Sequence, residues 1–212
     1  MKLNPKFVRL HPGIRMYNLD VPVVGLTGGI STGKSSVAKL LSAKGIAVIN
    51  ADLLVKEIYK REDTKAFIGE RYPDCMKNGE IDFAPLRTRF FRDSNTKSMI
   101  EKFIYKGLPE AFMKAYEQLG PVDFLVYDIP LLFEKRMEST VDMTIVVYTP
   151  PKVQRARLML RDGHMENMAQ SIIDSQIPID QKRGRADIAL DNSGTLEDLA
   201  AEVDQLLRQI IV

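Results

Sequence analysis

Short apolar runs alternate with stretches of helical period along most of the chain. Residues 21–26 and 46–49 are compact runs rich in β-branched side chains and read as buried strands. Residues 124–127, 143–148 and 186–190 repeat that pattern. Between the first two runs, Val37, Leu40 and Leu41 recur at i, i+3, i+4, which predicts a helix over 36–44 ending at Gly45. Residues 154–161 and 166–176 read as two helices separated by Asp162, Gly163 and His164. A final amphipathic helix over 196–211 places Leu196, Leu199, Val203, Leu206 and Leu207 inward, with Asp198 and Glu202 outward. This alternation predicts an α/β protein with a five-stranded parallel sheet flanked by helices.

Residues 53–119 interrupt the alternation. They look largely helical, with turns at residues 72–74 and at Asn78-Gly79, and are long for one crossover between parallel strands. The expected organisation is an N-terminal extension (1–20), a core assembled from 21–52, 120–150 and 186–212, a helical subdomain (53–119) and a lid (151–185). The extension carries Lys2, Lys6, Arg9 and Arg15 with no acid before Asp20, and it has neither an apolar core nor an unbroken amphipathic helix. It reads as a surface-docked or flexible segment.

The first strand runs into Gly28, Gly29, Ile30, Ser31, Thr32, Gly33, Lys34 and Ser35, which fits the spacing G-x-x-x-x-G-K-[ST] of a phosphate loop. Glycines let the chain curl so that successive N–H groups form an anion nest, and the following helix adds the positive end of its dipole. Ser36 continues that helix start. Lys34 is placed to reach β- and γ-phosphates and Ser35 to ligate Mg²⁺. The sequence therefore predicts binding of a nucleoside triphosphate and Mg²⁺.

Further candidates stand at strand ends. Asp52 follows the second strand and projects from the carboxyl edge where open parallel sheets bind ligands; an N-cap role fits it equally well. Asp128 ends the third strand, in the position of a metal-side carboxylate. Arg157 and Arg161 share one helix face at i, i+4, in a stretch placed to close over phosphates. Residues 191–194 form a loop suited to backbone contacts with an adenine ring, although turn chemistry alone also explains it.

Composition narrows the field. The chain has 212 residues, is 27% charged and has a net charge of +2, which makes no general case for nucleic acid as a partner. Its one cysteine, Cys75, rules out an internal disulfide and suits a reducing compartment. No apolar run approaches the ~20 residues needed to cross a bilayer. A cytoplasmic protein is expected, with a small-molecule substrate and no membrane partner.

The order of these pieces resembles the dephospho-coenzyme A kinases. The matching stretches are Gly25-Leu26-Thr27-Gly28-Gly29-Ile30 with Gly33-Lys34-Ser35, and Val48-Ile49-Asn50-Ala51-Asp52. Pro130-Leu131-Leu132-Phe133-Glu134, Gln154, Arg157, Arg161, Gln176, Ala186-Asp187 and Asp191-Asn192-Ser193-Gly194 also match. The resemblance implies a phosphate-loop NTPase core, and transfer of phosphoryl from ATP with Mg²⁺ to the ribose 3′-hydroxyl of dephospho-coenzyme A. It implies that Asp52 takes or orients the hydroxyl proton, with Thr27 near the reacting groups and Arg161, with Arg157, supplied by the lid. Leu131, Leu132 and Phe133 would line the acceptor site, and Asn192, Ser193 and Gly194 the adenine site. The chain departs from the family at Ser31, where glycine is usual, at Asn50, where an acid is frequent, and at Lys106-Gly107, near a usual His-Pro. The Ser31 departure leads us to expect altered loop geometry rather than lost binding. Competing readings are another small phosphate-loop kinase, acting on a nucleoside monophosphate or a hydroxylated metabolite, and a non-catalytic nucleotide-binding regulator. No Asn-Lys-x-Asp follows a strand, which argues against a GTPase.

Overall fold

The computed structural model describes residues 1–212, and the chain divides into two compact units, 1–50 with 119–212, and 51–118. In the first unit, β1 (Val23–Gly28) leads into α1 (Lys34–Ala43) and β2 (Val48–Asn50). The second unit holds α2 (Ala51–Tyr59), α3 (Glu62–Arg71), a hairpin of β3 (Met76–Lys77) and β4 (Glu80–Ile81), α4 (Phe83–Arg92) and α5 (Ser94–Gln118). The chain then returns to the first unit through β5 (Leu125–Asp128), β6 (Met143–Tyr148), α6 (Pro151–Asp162) and α7 (Glu166–Asp174). It closes with α8 (Ile179–Arg185), β7 (Ile188–Asp191) and α9 (Leu196–Ile210).

The sheet has five parallel strands in the order β2-β5-β1-β6-β7. β1, at its centre, is buried at every residue, as expected of a strand covered on both faces. Val24, Leu26, Val126, Ile145 and Val147 from the sheet pack with Val37 and Leu41 of α1 and Leu199, Val203 and Leu206 of α9. The helix-period residues picked out of the sequence therefore share one core, except Leu196, which opens α9 and is 63% exposed instead of inward, because the first turn of the helix projects beyond the sheet. From β1 the chain first builds strands on one side of the sheet and then on the other, so the loop after β1 opens at the edge where such sheets bind ligands.

In the second unit the Asn78-Gly79 turn, with φ of 52° and 80°, closes a two-stranded hairpin that hydrophobic alternation had not revealed. α5 runs for 25 residues and carries Pro109 inside it, just past Lys106-Gly107. No helix is long and apolar enough to cross a membrane.

The N-terminal segment is docked, and more deeply than a surface extension. Leu3 bridges Ile211, and Leu3, Met16 and Leu19 are buried. Arg15, only 4% exposed, donates through Nε and Nη2 to Asp142 at 2.7 and 3.1 Å. The remaining guanidinium N–H groups donate to the carbonyls of Leu10, Leu19 and Asp20.

Candidate active site

The first glycine of the loop, Gly28, still belongs to β1, and α1 begins at Lys34 rather than at Ser36. Gly33 stands at the helix N-cap with φ 90°, and a Cβ there would lie 1.9 Å from Asn192 Nδ2, so both conformation and space require glycine. Ser31 adopts φ 59° and its hydroxyl is buried without a partner. Ser31 is thus an L-residue held in left-handed backbone.

The carbonyls of the loop are held from behind. Gly28 O accepts from Lys182 Nζ at 2.9 Å, Ile30 O from Gln154 Nε2 at 2.8 Å, and Thr32 O from Asn192 Nδ2 at 2.8 Å. Gly29 O is taken by the Thr32 hydroxyl at 2.9 Å, and Ile30 N–H donates to Gln176 Oε1 at 2.9 Å. With alternate carbonyls engaged by side chains from the second half of the chain, and with Thr32 N–H donating to Gly29 O and Ser36 N–H to Gly33 O, the amides of Ser31, Gly33, Lys34 and Ser35 are left to form the nest.

Lys34 pairs with Asp128, which is fully buried at the end of β5, and Asn50 Nδ2 donates to the other carboxylate oxygen of Asp128 at 2.5 Å. Asn50 and Asp128 face each other in the β2–β5 register. The residue that departs from the family's frequent acid thus becomes a donor to the neighbouring carboxylate. Thr27 is buried and its hydroxyl donates to Pro130 O at 3.2 Å. Ser35 is exposed.

A cavity of about 260 Å³ beside the loop is lined by Ser31, Gly33, Ser36, Arg157, Asn192 and Gly194 among others. It brings together the loop and the residues expected to hold adenine. The Asn192 side chain is engaged with Thr32, and Asn192 O accepts from Arg157 Nη1 at 2.8 Å, so Asn192 fixes the wall of the cavity. The Ser193 hydroxyl and N–H donate to Asp191, an ordinary Asx-type turn.

Arg161 donates through Nε and Nη2 to Asp162 at 2.7 and 2.8 Å, and both side chains are substantially exposed (56% and 31%). The Asp162 contact holds the Arg161 guanidinium above its ordinary pKa. Leu132 and Phe133 are 0% and 2% exposed and belong to the interior, with the Arg185 guanidinium 4.6 Å from the Phe133 ring centre. Of the three apolar residues expected to line the acceptor site, only Leu131 offers surface. Asp52 is the second residue of the second unit; it lies within the first turn of α2, exposed, and is not its N-cap. There it lines a cavity of about 740 Å³ in that unit, with Leu53, Tyr59, Phe83, Lys60 and Arg87 among the other walls.

Sequence reasoning missed Lys182 altogether and gave Gln154, Gln176 and Glu134 no task. The signal for Lys182 was present: it stands at i+3 from the buried Ile179. It stands in a run of cations with Arg183 and Arg185, a composition that by itself gives no sign of burial.

A curl of amides at the centre of a parallel sheet, with a lysine and a buried carboxylate at its mouth, defines a phosphate-loop enzyme of the small-molecule kinase class. The family model described as dephospho-CoA kinase matches residues 22–198. A dephospho-CoA kinase of Enterococcus faecalis is 36% identical over 200 residues, covering 89% of this chain and 97% of its own. One from Arabidopsis thaliana is 34% identical, covering 89% of this chain and 83% of its own. A crystal structure of a Thermus thermophilus protein, 29% identical, superposes with a TM-score of 0.79 over 91% of this chain and 99% of its own. The dephospho-CoA kinase of Campylobacter jejuni, 24% identical, shares the fold with a TM-score of 0.59, covering 88% of this chain and 96% of its own. The chain belongs to the dephospho-CoA kinase family. The N-terminal 21 residues lie outside the matched region.

Proposed function

We propose that this protein is an ATP-dependent kinase that phosphorylates the ribose 3′-hydroxyl of dephospho-coenzyme A, giving coenzyme A and ADP. The observation that carries the reading is the phosphate loop itself, braced through alternate carbonyls and facing Lys34 and Asp128, in a chain of this family. Lys34 exchanges its contact with Asp128 for the β- and γ-phosphates, and the loop amides take the remaining oxygens. The pair with Asp128 keeps the ammonium at the mouth of the loop beforehand.

The donor set fits a Mg²⁺ ion carried in with the nucleotide. No cluster of three or more His, Cys, Asp or Glu could hold a metal by itself. Mg²⁺ needs only one or two protein oxygens beside phosphates and water. The exposed Ser35 hydroxyl and the Asp128 carboxylate would be those oxygens. When bound, the ion neutralises charge on the β- and γ-phosphoryl oxygens.

Asp52 supplies a carboxylate to orient the acceptor hydroxyl and take its proton. Its helix position adds a favourable interaction with the start of the α2 dipole. Arg161 reaches the transferring phosphoryl by leaving Asp162. An exposed ion pair is worth about 0–1 kcal/mol, so that exchange has little cost. Arg157 and residues 192–194 bound the adenine end.

The test is ATP turnover with dephospho-coenzyme A, AMP and shikimate offered separately as acceptors. Acceleration by dephospho-coenzyme A alone, with ADP formed in equal amount to phosphorylated product, is the expected result. Acceleration by AMP or shikimate in its place would assign the protein to a different acceptor class.

A further inference from the structure

Of the side chains that hold the back of the phosphate loop, Lys182 alone is charged. It is 0% exposed, donates to Gly28 O at 2.9 Å and stands 2.7 Å from Glu134 Oε1. The same carboxylate oxygen accepts from Ile177 N at 3.1 Å, while Glu134 Oε2 is buried without a partner. One carboxylate on the turn after β5 therefore fixes both the entry to α8 and the ammonium, and the ammonium fixes the residue at which strand becomes loop. Burial depresses the Lys182 pKa, Glu134 opposes that, and the charges of Lys34 and Arg185 reinforce it. The last effect means that Lys182 and Lys34 share one electrostatic environment.

Stability gives no reason to keep such a pair. Replacing a buried ion pair with well-packed apolar side chains is often neutral or stabilising, whereas its desolvation always costs. A methionine would fill the space under the loop. What it would not supply is a donor to Gly28 O or a positive field behind amides that must gather a polyanion, and both act most strongly where water is excluded.

We infer that Lys182 is a positioning residue of the nucleotide site, a second and buried cation that sets the loop at Gly28 and raises its affinity for phosphate. It acts through the loop and touches no reacting atom. The inference rests on the reading that this loop binds ATP.

The experiment compares ADP with adenosine, which shares the base and ribose but has no phosphate, by calorimetry on the parent, Lys182→Met and Glu134→Gln proteins. For folded Lys182→Met, ADP affinity should fall about ten-fold or more, ~1.4 kcal/mol, with adenosine affinity and the KM for dephospho-coenzyme A held within about two-fold. ADP affinity within about two-fold of the parent, or equal losses for ADP and adenosine, would overturn the inference. Glu134→Gln keeps an acceptor for Ile177 N–H but leaves Lys182 with Gly28 O and a neutral amide and no anion to offset Lys34 and Arg185, so the ammonium sheds its proton more readily. Its ADP affinity relative to the parent should therefore decline as pH rises from about 6 to 8.5, and a flat ratio would overturn the inference even if Lys182→Met does not fold. Failure of the parent itself to bind ADP would instead overturn the function proposed above.

Discussion

The two ends of the central strands carry buried charge in different ways. At the amino end, Asp142 accepts from five donors: Arg9 N, Leu10 N, Val23 N, and Nε and Nη2 of Arg15. Both its oxygens and every face of the Arg15 guanidinium are occupied. At the carboxyl end, Lys34 has one carboxylate contact at an open mouth, and Ser31 Oγ, Glu134 Oε2, Thr149 Oγ1 and Gln154 Oε1 are buried without partners. A closed network fixes a structure; a network with unmatched donors and acceptors retains the capacity to take a ligand. The same strands thus join a fastening at one end to a site at the other.

The largest effect should come from opening the fastening. Arg15→Ala would leave the Asp142 carboxylate buried without its cation, a loss of about 3–5 kcal/mol in unfolding free energy. Denaturant titration measures it, and kcat/KM of the folded fraction should stay near the parent value. A variant with parental stability would show that the N-terminal segment is ornament rather than fastening. Lys34→Ala should do the reverse. We expect a barrier increase of at least ~3 kcal/mol in single-turnover phosphoryl transfer, with a smaller loss of stability than Arg15→Ala, because Asp128 keeps Asn50 and lies beside the open mouth. Transfer within a few-fold of the parent would remove Lys34 from the chemistry.

The contrast also explains what the sequence could reveal. Local signals identified the loop, the five strands and the Asn78-Gly79 turn, because each depends on spacing along the chain. The brace did not show, since Gln154, Lys182 and Asn192 meet the loop across sequence separations of 124, 154 and 160 residues. Asp142 went unnoticed for the same reason: its partner Arg15 lies 127 residues away, and nothing local distinguishes a fastened Arg from a solvated one. Leu132 and Phe133 are a different case: the family resemblance assigned them to the acceptor site, and the structure buries both, since apolarity by itself does not separate a binding wall from the core.

Acid gives a finer comparison. Burial pushes the Asp142 carboxyl up, but hydrogen bonds from Arg15 and from the Val23 and Leu10 amides, with the Arg15 charge, bring it below its ordinary value. The Asp187 carboxyl is likewise raised by burial and lowered further by Arg9 and Thr144. A depressed folded pKa stabilises the fold above the unfolded value, about 3.9, and that stabilisation is lost as pH falls through the folded value. Melting temperatures between about pH 6 and 3 should therefore fall more steeply for the parent than for Asp142→Asn, which begins lower but has no proton to take up at that position. Parallel curves would mean that Asp142 is not the group that responds.

The smallest expected effect is at the open end, and it has the opposite sign. Ser31 stands where the family usually has glycine, with φ 59° and a hydroxyl that finds no partner. Left-handed backbone disfavours a side chain, and an unpaired buried hydroxyl adds its own desolvation. Ser31→Gly removes both penalties but loosens the unfolded chain, so a net gain of roughly 0.5–1 kcal/mol in stability is expected. Nucleotide affinity should change little, because the amide at residue 31 is retained and Gln154 holds, through Ile30 O, the peptide that carries it, while Asn192 holds Thr32 O beyond. Calorimetric Tm and ADP affinity of the one variant decide the matter. A stabilised protein that binds ADP as the parent does would mark Ser31 as tolerated strain; a stabilised protein with weakened binding would mean that the strain, or the hydroxyl, belongs to the site.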